Sequence, residues 1–117
     1  MINFAVDIVE SAPADRLALV ELARDGARRE WTFGEVALAA RALAARIDAL
    51  GVRRGDVVLT LVGSRPDWVA AMLACFRQGW VVLPCNEQLR AKDLRLRLAA
   101  CPPALVVCDR RNEDVLR

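Results

Sequence analysis

The chain has 117 residues, of which 56% are hydrophobic and 27% charged, with a formal net charge of +2. This composition excludes disordered and collagen-like classes, and the length suits one domain able to bury about two-thirds of its unfolded surface. There is no histidine, which removes Ser-His-Asp and Cys-His catalysis, His-ligated zinc and imidazole general bases from this chain. Residues 1–52 are mildly acidic and residues 53–117 mildly basic, a balance better explained by solvated helix faces than by a polyanion site.

In chain order, residues 1–12 read as a loosely ordered lead-in to a single α/β domain over 13–117. Pro13 opens a helical pattern in Leu17, Val20, Leu22 and Ala23, with Gly26 as a stop signal. Arg28–Trp31 reads as a short strand. Thr32 and Glu35 form the T-x-x-E of a capping box, and Val36, Ala40, Leu43, Ile47 and Leu50 make one apolar stripe ended by Gly51. Residues 52–56 are a turn into Val57–Val62, a continuous apolar run that suits a strand buried on both faces of a parallel sheet.

Ser64 is expected to cap a helix with Pro66 in its first turn and Gly79 at its end. Trp80–Leu83 is a second core strand closed by Pro84, and residues 85–89 are a loop. Ala91–Ala100 is a helix broken by Pro102-Pro103, and Ala104–Cys108 is a third core strand. Asn112 is expected to cap a further helix. The alternation predicts a three-layer αβα domain with a doubly wound, mostly parallel sheet.

Cys75, Cys85, Cys101 and Cys108 form no C-x-x-C pair and lie among apolar residues, so they are expected to be reduced, buried small hydrophobes. Met1-Ile2-Asn3-Phe4 leads into acids rather than a basic region and an apolar run, and the apolar runs fall short of the roughly 18 residues of a membrane span. A cytoplasmic location is expected.

An α/β sheet works at the carboxyl ends of its strands. Gly63-Ser64-Arg65-Pro66-Asp67 has neither a dinucleotide nor a phosphate-loop pattern, and Ser64 reads as a cap rather than a nucleophile. Pro84–Arg90 is a polar loop that could wall a pocket, with Cys85 in it. Asp109-Arg110-Arg111 reads as a surface ion pair. Arg90, Lys92, Arg95 and Arg97 could bind phosphate; the plain alternative is a solvated helix face, and the lack of a neighbouring aromatic speaks against nucleic acid. No catalytic, cofactor-binding or metal-binding residue is assigned.

Four motifs in register resemble one family. Trp31-Thr32-Phe33-Gly34-Glu35-Val36 is similar to the W-T-[FY]-x-E-[LV] entry into the first large helix of adenylate-forming enzymes. Ala49–Val58 is similar to their A-L-G-V-x-x-G-D-x-V turn, Ser64–Trp68 to the helix start that follows it, and Gly79–Asn86 to their G-x-[VA]-x-x-P-x-[NT] segment. The family is the AMP-dependent synthetases and ligases. Leu83-Pro84-Cys85 and Gln88–Leu94 lean toward its acyl- or aryl-CoA synthetases.

The resemblance implies that a carboxylate attacks the α-phosphate of Mg-ATP, giving acyl-AMP and pyrophosphate, after which the acyl group passes to the thiol of coenzyme A. It implies the beginning of a large N-terminal α/β domain. The family's phosphate loop, ribose-binding aspartate and catalytic lysine come later than this segment, and Lys92 matches none of them. Val115-Leu116-Arg117 carries no closing signal, so the chain is expected to continue into the rest of an enzyme, to be inert alone, and to self-associate through exposed apolar surface. The alternatives are a self-standing binding or oligomerisation module derived from the family, or a flavodoxin-like regulator. A reading frame continuing past Arg117 into a phosphate loop separates the first reading from the second.

Overall fold

The structure, a computed structural model, describes residues 2–116. Its centre is a three-stranded parallel sheet in the order β4-β3-β5, where β3 is Val57–Leu61, β4 is Val81–Pro84 and β5 is Leu105–Cys108. Val58 of β3 pairs with Val82 of β4 on one side and Leu105 of β5 on the other. Successive side chains of β3 point to opposite faces. Val58 packs with Ala44 and Ile47 of helix α1 (Phe33–Ala49) and Ala74 and Cys75 of helix α2 (Pro66–Gln78). Leu59 and Leu61 pack with Leu94 of helix α3 (Ala91–Ala100). Helices therefore cover both faces, giving the expected αβα layers.

α1 begins where its capping box requires. The Thr32 hydroxyl accepts from the Glu35 backbone N–H and the Glu35 carboxylate accepts from the Thr32 N–H, both at 3.1 Å. α3 spans the expected residues. α2 differs at its start: the cap position is Arg65, with no side-chain cap, and not Ser64. The tight Gly63–Arg65 turn, in which the Arg65 N–H donates to the Gly63 carbonyl at 2.8 Å, moves the entry by one residue.

The largest correction lies before α1. Leu17–Leu22 is not a helix but strand β1, and it pairs antiparallel with β2 (Arg28–Thr32) from Leu17 opposite Thr32 to Leu22 opposite Arg28. The stop signal was a turn signal. The Asp25 carboxylate accepts from the Ala27 N–H at 2.9 Å, and Gly26 takes φ +90°, a left-handed conformation that glycine adopts without a Cβ penalty. The hairpin stacks Arg29 over the Trp31 ring at 3.9 Å.

Residues 2–12 hold more order than a loose lead-in. Phe4–Val9 forms one π-helical turn that buries Ala5 and Val9 against Val36, Ala40 and Leu73. Glu10 pairs with Arg77 at 2.7 Å, and the Asn3 side-chain amide donates to the Phe76 carbonyl at 2.9 Å, so this segment is fastened to the end of α2. After β5 the chain makes short 3-10 turns at Arg110–Asn112 and Asp114–Leu116, with Asp109, not Asn112, at the cap position. All four cysteines are free; Cys75 and Cys85 are buried, whereas Cys101 and Cys108 are only half-buried. Among the described residues no helix is long and apolar enough to cross a membrane.

Thr60 is fully buried on β3, and its hydroxyl has no hydrogen-bond partner among the described residues. An unpaired buried hydroxyl costs free energy that an isosteric methyl does not. Thr60→Val should therefore raise stability by about 1 kcal/mol, read as a shift of the urea midpoint at unchanged slope.

Candidate functional site

The carboxyl ends of the three parallel strands converge on one polar network. Its buried member is Asp109, immediately after β5 and 8% exposed. Asp109 Oδ2 accepts from the Gly63 backbone N–H at 2.9 Å, and Oδ1 pairs with the Arg65 guanidinium, which also reaches Asp67 Oδ2 at 2.9 Å. One carboxylate thus ties the end of β5 to the loop after β3 and to the start of α2. The expected surface pair of Asp109 with Arg110 and Arg111 is not what closes on it: the bonded guanidinium is that of Arg65, from the other loop, while Arg111 acts on Asp109 at longer range.

A second clasp joins the loop after β4 to the same place. Arg111 donates from Nε to Glu87 Oε2 at 2.8 Å and from Nη2 to Oε1 at 2.6 Å, a bidentate pair. Asn112 donates from Nδ2 both to Glu87 Oε2 at 2.7 Å and to the Leu61 carbonyl at 3.0 Å. These donors stabilise the ionised form of Glu87 and hold its carboxyl below the usual carboxylate range, Arg111 contributing most. Glu87 lies in the polar Pro84–Arg90 loop expected to wall a pocket, and no local signal in the sequence announces its pairing with Arg111.

Gly63 sits where the two clasps meet. A Cβ there would fall 2.5 Å from Arg111 Nη2 and 2.8 Å from Glu87 Oε1, so only a residue without a side chain lets the loop lie against the network undisturbed. Beside it a cleft of about 420 Å³ is walled by Val62, Gly63, Ser64, Trp68 and the Pro84–Gln88 loop. A larger open groove of about 720 Å³ runs from Ser64 and Trp68 toward β1 and is edged by Arg111. The structure therefore brings Ser64, Asp67, Cys85, Asp109 and Arg111 to one edge of the sheet. Lys92, Arg95 and Arg97 stay on α3, with Arg90 at its cap position.

Both inner carboxylates of this edge are committed to guanidinium partners. Burial pushes the Cys85 thiol up, against a smaller lowering pull from Arg97, and raises Cys75 in the core to about 11, so neither is poised as a thiolate. Among the described residues no group of three or more His, Cys, Asp or Glu is placed to hold a metal ion.

The sheet order and the strand-end loops define a parallel α/β segment with helices on both faces. The sequence model of the family described as AMP-binding enzyme matches residues 7–117, and the chain belongs to that family. It is similar to the uncharacterized acyl-CoA ligase YtcI of Bacillus subtilis, 32% identical over 88 residues that make up 75% of this chain and 17% of that protein. It is 36% identical over 94 residues to human mitochondrial acyl-coenzyme A synthetase ACSM3, covering 80% of this chain and 15% of that one. Among solved structures, the Brucella canis acyl-CoA synthetase superposes with a TM-score of 0.91 at 25% identity, over 98% of this chain and 21% of that chain. The chain thus spans about a sixth of the length of the curated relatives it matches.

Asp109→Ala should leave the buried Gly63 N–H unpaired and Arg65 without its inner partner, lowering stability by about 2 kcal/mol in urea titrations. Glu87 has a depressed folded-state pKa. The stability of its clasp is therefore present above the ordinary glutamate pKa and is lost as pH falls through the lowered value. The difference in urea midpoint between the parent chain and Glu87→Gln should be largest near neutral pH and shrink below about pH 4.

Proposed function

We propose that this chain is the front segment of an AMP-forming carboxylate–CoA ligase acting on a fatty or aromatic acid. The observation that carries this reading is the match of the AMP-binding enzyme family over residues 7–117. In the parent reaction a carboxylate oxygen displaces pyrophosphate from the α-phosphorus of ATP. The thiol sulfur of coenzyme A then attacks the acyl carbon of the acyl-AMP, releasing AMP and one proton. The segment's part is architectural: its strand-end loops, held in register by Asp109 and Glu87, form one border of the region into which later chain would bring nucleotide, magnesium and thiol. Ligands for none of these are assigned to it.

The curated relatives support the substrate class, since their names are those of acyl-CoA ligases. The outer edges of β4 and β5, which pair with no further strand among the described residues, and exposed apolar side chains such as Val81 and Leu50, fit a surface that the rest of the enzyme covers.

ATP–pyrophosphate exchange over a panel of carboxylates tests the reading in two arms. The 117-residue chain alone should give no exchange. A chimera of human ACSM3 carrying residues 7–117 in place of the matching segment should fold and retain exchange within about tenfold of the parent, a loss of at most 1.4 kcal/mol in transition-state stabilisation. Turnover by the chain alone, or a folded chimera without exchange, would overturn the proposal.

A further inference from the structure

The outward face of α3 combines features that the strand-end network does not use. Leu94 is buried against the sheet, with Leu98 beside it, so the opposite arc of the helix faces away from the core. At 100° per residue that arc centres on Leu96, which is 64% exposed. Lys92 and Ala100, both exposed, lie about 40° from it, exposed Ala99 and half-buried Asp93 about 60°, and Arg95 and Arg97 stand about 100° to either side. The result is a small apolar strip with a cation on each flank.

The positive charge on this face exceeds the negative, with Asp93 the one carboxylate against Lys92, Arg95 and Arg97. None of Arg90, Lys92, Arg95 and Arg97 makes an ion pair with another described residue. Asp93, the one carboxylate in the helix, accepts instead from the Arg90 backbone N–H at 3.2 Å. Arg90 and Lys92 place positive charge at the helix N-terminus, against the dipole, and Lys92 and Arg95 are like charges three residues apart. Both arrangements weaken an isolated helix, and an opposing negative surface relieves both. A shallow open hollow on this face, lined by Leu89, Asp93, Leu96, Arg97 and Ala100, puts a carboxylate where a small anion would sit, and the face offers no aromatic ring on which a base could stack.

We propose that the outward face of α3 is a peripheral contact for an anionic phospholipid surface. Leu96 and the two alanines enter the boundary between headgroups and acyl chains, while Arg95 and Arg97 extend sideways along their methylene stems to the phosphates. With a single leucine as the apolar contribution, attachment is reversible and carried mostly by charge. The inference is independent of the ligase reading.

Co-sedimentation of the 117-residue chain with vesicles tests it. Vesicles of equal parts phosphatidylcholine and phosphatidylglycerol should bind the chain at least about tenfold more than pure phosphatidylcholine at low salt, and half-molar salt should abolish the difference. The Arg95→Glu/Arg97→Glu variant should fall to the phosphatidylcholine level with its helical circular dichroism unchanged, and Leu96→Ser should weaken binding several-fold. If the double variant loses helicity, Arg95→Gln and Arg97→Gln taken singly should each lower binding several-fold. Absence of binding to anionic vesicles, equal binding to both compositions, or indifference to these substitutions overturns the proposal. So does binding to poly-glutamate as tight as to vesicles and insensitive to Leu96→Ser, which would point to an acidic polypeptide.

Discussion

Everything in this structure is referred to a strand that has no exposed side. β3 is hydrogen-bonded along both edges and covered on both faces, so its five residues are held by two neighbouring strands and three helices at once. A parallel strand buried in this way needs continuous hydrophobicity rather than alternation, which Val57–Leu61 supplies apart from Thr60. Burial of β3 also decides where the polar groups can go. They gather at its carboxyl end, where Gly63 leaves the sheet and the chain becomes accessible.

At that end, electrostatics takes over from apolar packing. Asp109 is almost out of water, yet it is satisfied by a backbone N–H and a guanidinium. Glu87 and Arg111 sit further out, where a single pair is weak. Their contribution comes from geometry: a bidentate contact, with Asn112 bridging Glu87 to the last carbonyl of β3. Three loops that would otherwise move separately are joined through side chains from a chain that carries no imidazole.

The parts legible in the sequence are those whose signals are local. The capping box of α1, the apolar runs of β3 and β5 and the proline-bounded α3 were read from neighbouring residues, and the structure places them within a residue or two. The region before α1 is ambiguous in the sequence because Leu17, Val20 and Leu22 satisfy a helical spacing loosely, and because Gly26 ends a helix and turns a hairpin equally well. Pairing with Arg28–Thr32 decided between them, and that contact is not local. The strand-end network was illegible for the same reason. Asp109 lies 46 residues from the N–H it accepts, and Glu87 lies 24 residues from Arg111. Nothing in either loop announces the other. The family resemblance, by contrast, rests on turn glycines, prolines and core positions, which keep their spacing along the chain.

The three tryptophans happen to divide the molecule between them. Trp31 lies in the hairpin beneath the Arg29 guanidinium, with its indole N–H toward Glu21. Trp68 stands at the mouth of the strand-end cleft, and Trp80 is 5% exposed in the core between α2 and the sheet. Single-tryptophan versions of this chain would therefore be spatially separate optical reporters. The emission of Trp80 would follow the integrity of the sheet, that of Trp31 the docking of the hairpin, and that of Trp68 the arrival of anything that closes over the loops.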